Sequence, residues 1–163
     1  MSNKAIFLDR DGVINKERKD YVKNINEFEI FDGVIQAIDL LKKNNFLVIV
    51  VTNQSAINRN LMSHEMLGNI HEHFKNYLKI NGTCVDGIYY CPHKPDEGCL
   101  CRKPKPGLLL QAVRDFDIDL KNSWLIGDCV TDIEAAKAIG CNWILLKPHQ
   151  KLIKLVENIL KTD

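Results

Sequence analysis

A doubly wound parallel α/β sheet with helices on both faces is the fold this sequence predicts, and three observations predict it. Short apolar runs alternate with amphipathic stretches along the chain, as in parallel strands joined by helical crossovers. Phe46 to Val51 is continuously apolar and rich in β-branched residues, which suits a strand buried on both faces. Polar clusters stand directly after three of the runs, and such folds bind ligands beyond the carboxyl ends of their strands.

The elements follow in order. Ala5 to Leu8 is the first strand. Gly33 to Asn44 carries Val34, Ile38 and Leu41 at helical spacing and reads as a helix. Phe46 to Val51 is the second strand. Ser63 caps a helix whose apolar stripe is Met66, Leu67, Ile70, Phe74 and Leu78. Val85 to Tyr90 is a third strand, Leu108 to Phe116 a helix, and Trp124 to Ile126 a fourth strand. Thr131 to Ile139 is helical and stops at Gly140, a helix-ending residue. Trp143 to Leu146 is a fifth strand and Lys151 to Leu160 a last helix. Trp124 and Trp143 are expected in the core. His64, His71 and His73 are expected to face solvent, since an i, i+2 pair does not share a helix face.

The 163 residues suit one domain, 1–163, with a real core. Lys and Arg number 22 against 21 Asp and Glu, without the basic excess of a nucleic-acid binder. No apolar stretch is long enough to span a membrane. Met1-Ser2-Asn3-Lys4 runs straight into the first strand and leaves no room for a signal peptide. A cytoplasmic location is therefore expected, with no nucleic-acid or membrane partner, and a monomer is expected because no apolar helix face is surplus.

The chemistry clusters at strand ends. Asp9-Arg10-Asp11-Gly12 follows the first strand, Thr52-Asn53-Gln54-Ser55 the second, and Gly127-Asp128 with Asp132 the fourth. Each alone has a plain explanation as a turn or a cap. Together on one sheet edge they form a set suited to phosphoryl transfer. Asp9, Asp11 and Asp128 offer hard oxygen ligands of the kind Mg²⁺ prefers. Thr52 offers a hydroxyl to phosphate oxygens, and Lys103 a positive charge. A carboxylate such as Asp9 can serve as a covalent nucleophile.

Cys91-Pro92-His93 and Cys99-Leu100-Cys101 form C-x-H-x₅-C-x-C. Three thiolates and an imidazole match a closed, four-coordinate structural Zn²⁺ site. Gly98, Pro95 and few apolar residues leave this loop little means of ordering itself by burial. Zinc would fix it, and with it Arg102 and Lys103. Cys84, Cys129 and Cys141 lie outside the cluster and read as plain small residues.

Asp9-x-Asp11-Gly12-Val13-Ile14-Asn15, Thr52-Asn53-Gln54-Ser55, Lys103 and Gly127-Asp128-x-x-x-Asp132 together resemble the four motifs of the haloacid dehalogenase phosphatases. The resemblance runs from about residue 4 to 146. It implies a Rossmann-like sheet, here without a large inserted cap domain. It implies that Asp9 forms an aspartyl-phosphate, with Asp11 as general acid and then base. Mg²⁺ would be held by Asp9, the backbone carbonyl of Asp11, and Asp128. Thr52 and Lys103 would stabilise the phosphoryl group, and Asp132 would orient Lys103 or the metal shell.

Two zinc-bearing branches of that family share the Cys/His pattern, one acting on heptose bisphosphates and one on histidinol phosphate. Tyr21-Val22, Phe28 to Ile35, Asp86 to His93 and Cys101-Arg102-Lys103-Pro104-x-Pro106-Gly107 resemble the heptose branch, whereas the short gap between His93 and Cys99 suits either. After Ser55 the heptose branch carries Gly-Ile-Ala-Arg-Gly. Here Ala56-Ile57-Asn58-Arg59-Asn60 keeps Arg59 and loses both glycines. A sugar phosphate substrate is therefore expected, bound by Asn53, Gln54, Ser55, Arg18, Tyr21, Arg59 and Arg102. Of the cations, Arg102 is placed first because the zinc loop would hold it and Arg offers bidentate contacts. Lys19 and Lys105 are left out. The alternatives are a histidinol-phosphate phosphatase and a zinc-stabilised binding module without catalysis.

Overall fold

The computed structural model describes residues 2–162. Five parallel strands, β1 (Ala5–Leu8), β2 (Leu47–Asn53), β3 (Gly87–Cys91), β4 (Trp124–Gly127) and β5 (Asn142–Leu145), lie in the order β3-β2-β1-β4-β5. Five helices connect and flank them: α1 (Val34–Lys43), α2 (His64–Ile80), α3 (Gly107–Phe116), α4 (Val130–Ala138) and α5 (Leu152–Thr162). Short 3₁₀ turns stand at Ile25–Glu27 and Leu120–Asn122.

The strands are apolar throughout because both faces of the sheet are covered. Ile6 and Leu8 of β1, Val48 and Val50 of β2, and Ile126 of β4 pack into a core shared with α1, α2 and α5. Their neighbours Ala5, Phe7, Ile49, Val51 and Leu125 face the other way, into a core shared with α3 and α4. This two-residue alternation is the strand period expressed on two buried faces.

Capping residues set the helix limits. The Ser63 side chain accepts a hydrogen bond from the Met66 N–H at the start of α2. Gly140, at φ +70°, follows α4. The third strand runs later than expected and ends on Cys91, which places the first predicted zinc ligand at the strand's end.

Two sequence expectations are corrected. Trp143 is 41 % exposed. β5 is an edge strand, so its alternate residues face outward, and Lys137 covers the indole at 4.8 Å. Trp124 is only partly buried. His71 is buried, unlike its helix neighbour His73, because α2 turns that face onto Arg10 and Tyr90.

The chain winds outward from β1 in both directions, through β2 and β3 on one side and β4 and β5 on the other. The switch point of this α/β sheet therefore lies between β1 and β4. The residues that follow those two strands are Asp9 and Asp128.

Candidate active site

Asp9 leaves β1 with its N–H donated to the carbonyl of Ile126 on β4, at 3.1 Å. Its Oδ1 accepts the Arg10 N–H at 2.8 Å and faces Lys103 Nζ at 3.1 Å. Gly12 then turns the chain at φ +85°. A Cβ there would stand 1.9 Å from Asp128 Oδ2, so only glycine lets the β1 loop close onto Asp128.

Lys103 is buried and reaches the site from the far end of the cysteine loop. Its Nζ donates to the carbonyl of Val51 at 2.8 Å and to Asp132 Oδ1 at 2.5 Å. Asn53 holds the same residue by its backbone: Asn53 Nδ2 donates to the Lys103 carbonyl and the Lys103 N–H donates to Asn53 Oδ1, both at 3.1 Å. Burial works against the ammonium, but Asp9 and Asp132 outweigh it and raise the Lys103 pKa. Burial raises the Asp9 carboxyl to about 7, with Lys103 opposing and Asp132, Asp11 and Asp128 adding to the rise. Burial, helped by Asp132, likewise raises Asp128 to about 6.

Asp9, Asp128 and Asp132 can bring one carboxylate oxygen each to within 4.8 Å of the others. Asp132 is occupied by Lys103 and by the Cys129 N–H at 3.2 Å. Asp9 and Asp128 are left as the carboxylates best placed for a divalent cation. A hard cation with several free positions, such as Mg²⁺, fits this oxygen set. The Asp11 carboxylate lies outside that group. It accepts from Arg10 Nη2 at 2.9 and 3.2 Å, Asn15 Nδ2 at 2.9 Å and Gln54 Nε2 at 2.7 Å. Gln54 Nε2 also donates to Thr52 Oγ1 at 2.9 Å, tying the β1 and β2 loops together.

A cleft of about 530 Å³ opens over these groups. Arg18, Tyr21, Arg59 and Arg102 all line it, as do Asn53, Ser55 and Lys19. Thr52 and Gln54 are buried beneath the loop. Arg18 is committed to Asp20, with two contacts of 3.1 Å, and approaches Glu27. Arg102 Nη1 donates to the His93 carbonyl at 3.1 Å, fastening it to the cysteine loop. The Ala56–Asn60 departure has a structural answer. Asn60 sits at φ +60°, the left-handed region a glycine would supply and asparagine tolerates.

His93 Nδ1 is 3.3 Å from the sulfurs of Cys91 and Cys101, and Cys91 Sγ is 3.6 Å from Cys99 Sγ. Tetrahedral Zn²⁺, with bonds of about 2.0–2.3 Å to N and S, would set its ligands about 3.3–3.8 Å apart. The four side chains fit that cation. Burial pushes the Cys91 thiol well up, so a metal is what would ionise it.

A family model described as haloacid dehalogenase-like hydrolase matches residues 4–140. The chain belongs to the haloacid dehalogenase-like hydrolases. This hydrolase is 42% identical over 147 residues to D-glycero-β-D-manno-heptose-1,7-bisphosphate 7-phosphatase of Pseudomonas aeruginosa, covering 90% of this chain and 83% of that protein. The like-named protein of Photorhabdus laumondii is 45% identical over 139 residues, covering 81% and 73%. Among solved structures, D,D-heptose 1,7-bisphosphate phosphatase from B. bronchiseptica, complexed with magnesium and phosphate, superposes with a TM-score of 0.90. It is 34% identical and the match covers 98% of this hydrolase and 99% of that chain. The five-stranded parallel sheet is the haloacid dehalogenase-like fold, here with no large cap among the described residues.

Sequence reading missed three residues of the site: Arg10, Asn15 and His71. Arg10 and Asn15 stand inside the first motif, and their burial was the missing signal. No helix is long and apolar enough to cross a membrane among the described residues.

Proposed function

We propose that this hydrolase removes the C7 phosphate of D-glycero-D-manno-heptose 1,7-bisphosphate in a Mg²⁺-dependent reaction through an aspartyl-phosphate on Asp9. The observation that carries the reading is the convergence of Asp9, Lys103 and Asp128 at the β1/β4 switch point. The named relatives supply the substrate class.

Asp9 Oδ1 is turned to Lys103 and to the Arg10 N–H, which leaves Oδ2 to attack phosphorus. The bond from phosphorus to the sugar oxygen breaks as Oδ2 bonds to phosphorus. Asp11 gives its proton to the departing alkoxide. Water then attacks the phosphorus, Asp11 takes the water's proton, and Asp9 is restored with release of inorganic phosphate. Lys103 and the Thr52 hydroxyl face the charge on the phosphoryl oxygens. Mg²⁺ held by Asp9, Asp128 and the Asp11 carbonyl would supply charge neutralisation for the phosphoryl group. Zn²⁺ on Cys91, His93, Cys99 and Cys101 would act structurally, fixing Arg102 beside the cleft for the substrate's second phosphate.

Phosphate release from the α and β anomers of the heptose bisphosphate, and from histidinol phosphate, with and without Mg²⁺, tests the reading. Mg²⁺-dependent turnover of one heptose anomer supports it. Preference for histidinol phosphate replaces the substrate, and undiminished turnover by Asp9→Asn removes the covalent step.

A further inference from the structure

Asp11 serves both halves of the proposed reaction, so what holds its side chain decides both. Of its three donors, Asn15 and Gln54 come from the loops around the site. Arg10 differs: its side chain is 1% exposed and runs under the site toward helix α2. Phe28 lies beneath the guanidinium, 5.6 Å from the ring centroid. Nη2 faces Asp11 and Nη1 faces His71 Nε2 at 3.2 Å. Nε meets no acceptor among the described residues, so the terminal nitrogens orient the group.

The chemistry of this contact fixes the histidine. Arginine only donates, so His71 Nε2 must accept and the ring must be neutral, with its proton on Nδ1. Burial, with Arg10 adding to it, lowers the His71 pKa to about 3, consistent with that form. Tyr90 of β3 packs on the ring at a centroid distance of 6.2 Å. The Tyr90 hydroxyl is in turn 2.8 Å from His64 Nδ1, about two α2 turns before His71. Tyr90, itself tied to His64, thus backs the His71 ring from the β3 side.

We infer that His71 is a positioning residue for the phosphatase reaction: as a buried acceptor on α2, it braces Arg10 so that Arg10 holds the Asp11 carboxyl group against the leaving oxygen. The inference rests on the proposed acid/base role of Asp11. His71 touches no reacting atom, and it acts through Asp11 in the two steps where Asp11 gives or takes a proton.

The experiment compares kcat/KM for the heptose bisphosphate and for p-nitrophenyl phosphate. That ratio reports events up to the first transfer of the phosphoryl group. A sugar alkoxide needs a proton to leave, whereas p-nitrophenolate leaves without one. His71→Phe keeps the buried ring and deletes the acceptor. It is expected to lower kcat/KM on the heptose bisphosphate tenfold or more and to change the p-nitrophenyl value less than threefold. His71→Gln, whose amide oxygen can accept from Arg10, is expected to recover most of the loss. A simple folding defect would lower both substrates equally, and that result overturns the inference, as does an unchanged heptose value. Asp11→Asn is run alongside. If Asp11→Asn shows no leaving-group dependence, the acid/base reading of Asp11 itself has failed. If Asp11→Asn shows it and His71→Phe does not, only the brace has failed.

Discussion

Lys103→Met tests the electrostatics of the site most directly. The wild-type ammonium is buried between two carboxylates, 3.1 Å from Asp9 and 2.5 Å from Asp132, with side-chain exposures of 2% for Lys103 and 1% for Asp132. Methionine keeps much of the volume and removes the charge, leaving two buried anions facing each other. Breaking a buried pair in this way costs about 3–5 kcal/mol. Asp132→Asn costs less, about 1.5–3 kcal/mol, because Lys103 keeps Asp9. The double variant removes one of the opposed anions with the cation, so its loss falls short of the sum by about 1.5–3 kcal/mol. The pH dependence has a definite sign. Asp9 already titrates near 7, and without Lys103 its folded pKa rises further. A carboxyl raised on folding loses stability as pH climbs through the unfolded value of 3.8 toward the folded one. The Lys103→Met penalty is therefore larger at pH 8 than at pH 5. Urea unfolding in Mg²⁺-free buffer at both pH values, for the four members of the cycle, measures this. A penalty under about 1 kcal/mol at pH 8, or one that grows toward pH 5, refutes the reasoning.

Other perturbations separate the parts of the site. Gly12→Ala drives a Cβ to 1.9 Å from Asp128 Oδ2 and strains φ +85°; calorimetry should show loss of Mg²⁺ binding, with a stability cost of at least about 1–2 kcal/mol. Mg²⁺ affinity should rise with pH as Asp9 and Asp128, at about 7 and 6, give up protons, and titration in two buffers of different ionisation heat should reveal the release. The zinc reading expects one Zn²⁺ per chain by elemental analysis; stripping it, or Cys99→Ser, should lower Tm and activity together, and excess Mg²⁺ should restore neither. His71, at about 3 folded against 6.5 unfolded, contributes stability above pH 6.5 that is lost as pH falls toward 3, by at most about 5 kcal/mol; the wild type minus His71→Gln difference in urea stability should shrink over that window, with Asp9 cancelling between the two.

What was legible in the sequence divides along a physical line. The groups proposed to meet substrate or metal stand in short motifs at strand ends, because a parallel sheet delivers those ends to one edge. Asp9, Thr52 and Asp128 could be read that way, whereas Lys103, at the far end of the cysteine loop, was legible only from the resemblance; the structure brings Asp9, Lys103 and Asp128 together. Helix limits were legible where a cap announced them, as at Ser63 and Gly140. The residues that hold these groups were not legible, because their partners are remote. Arg10 meets His71 across 61 positions, and Asn53 clamps Lys103 across 50. Asn53 lines the cleft, as a substrate-binding residue would, but its clamp on the Lys103 backbone could not be read from the sequence. Trp143 shows the same limit in the fold. Whether an apolar residue on a strand is covered depends on strand order, and the alternation of strands and helices does not encode that β5 lies at an edge. The distinction has a consequence for substitutions. A change at Asp9 or Lys103 alters the reaction directly, whereas a change at Asn53, Arg10 or His71 acts through the position of another side chain. Such a change should shift the balance between substrates or steps before it abolishes turnover.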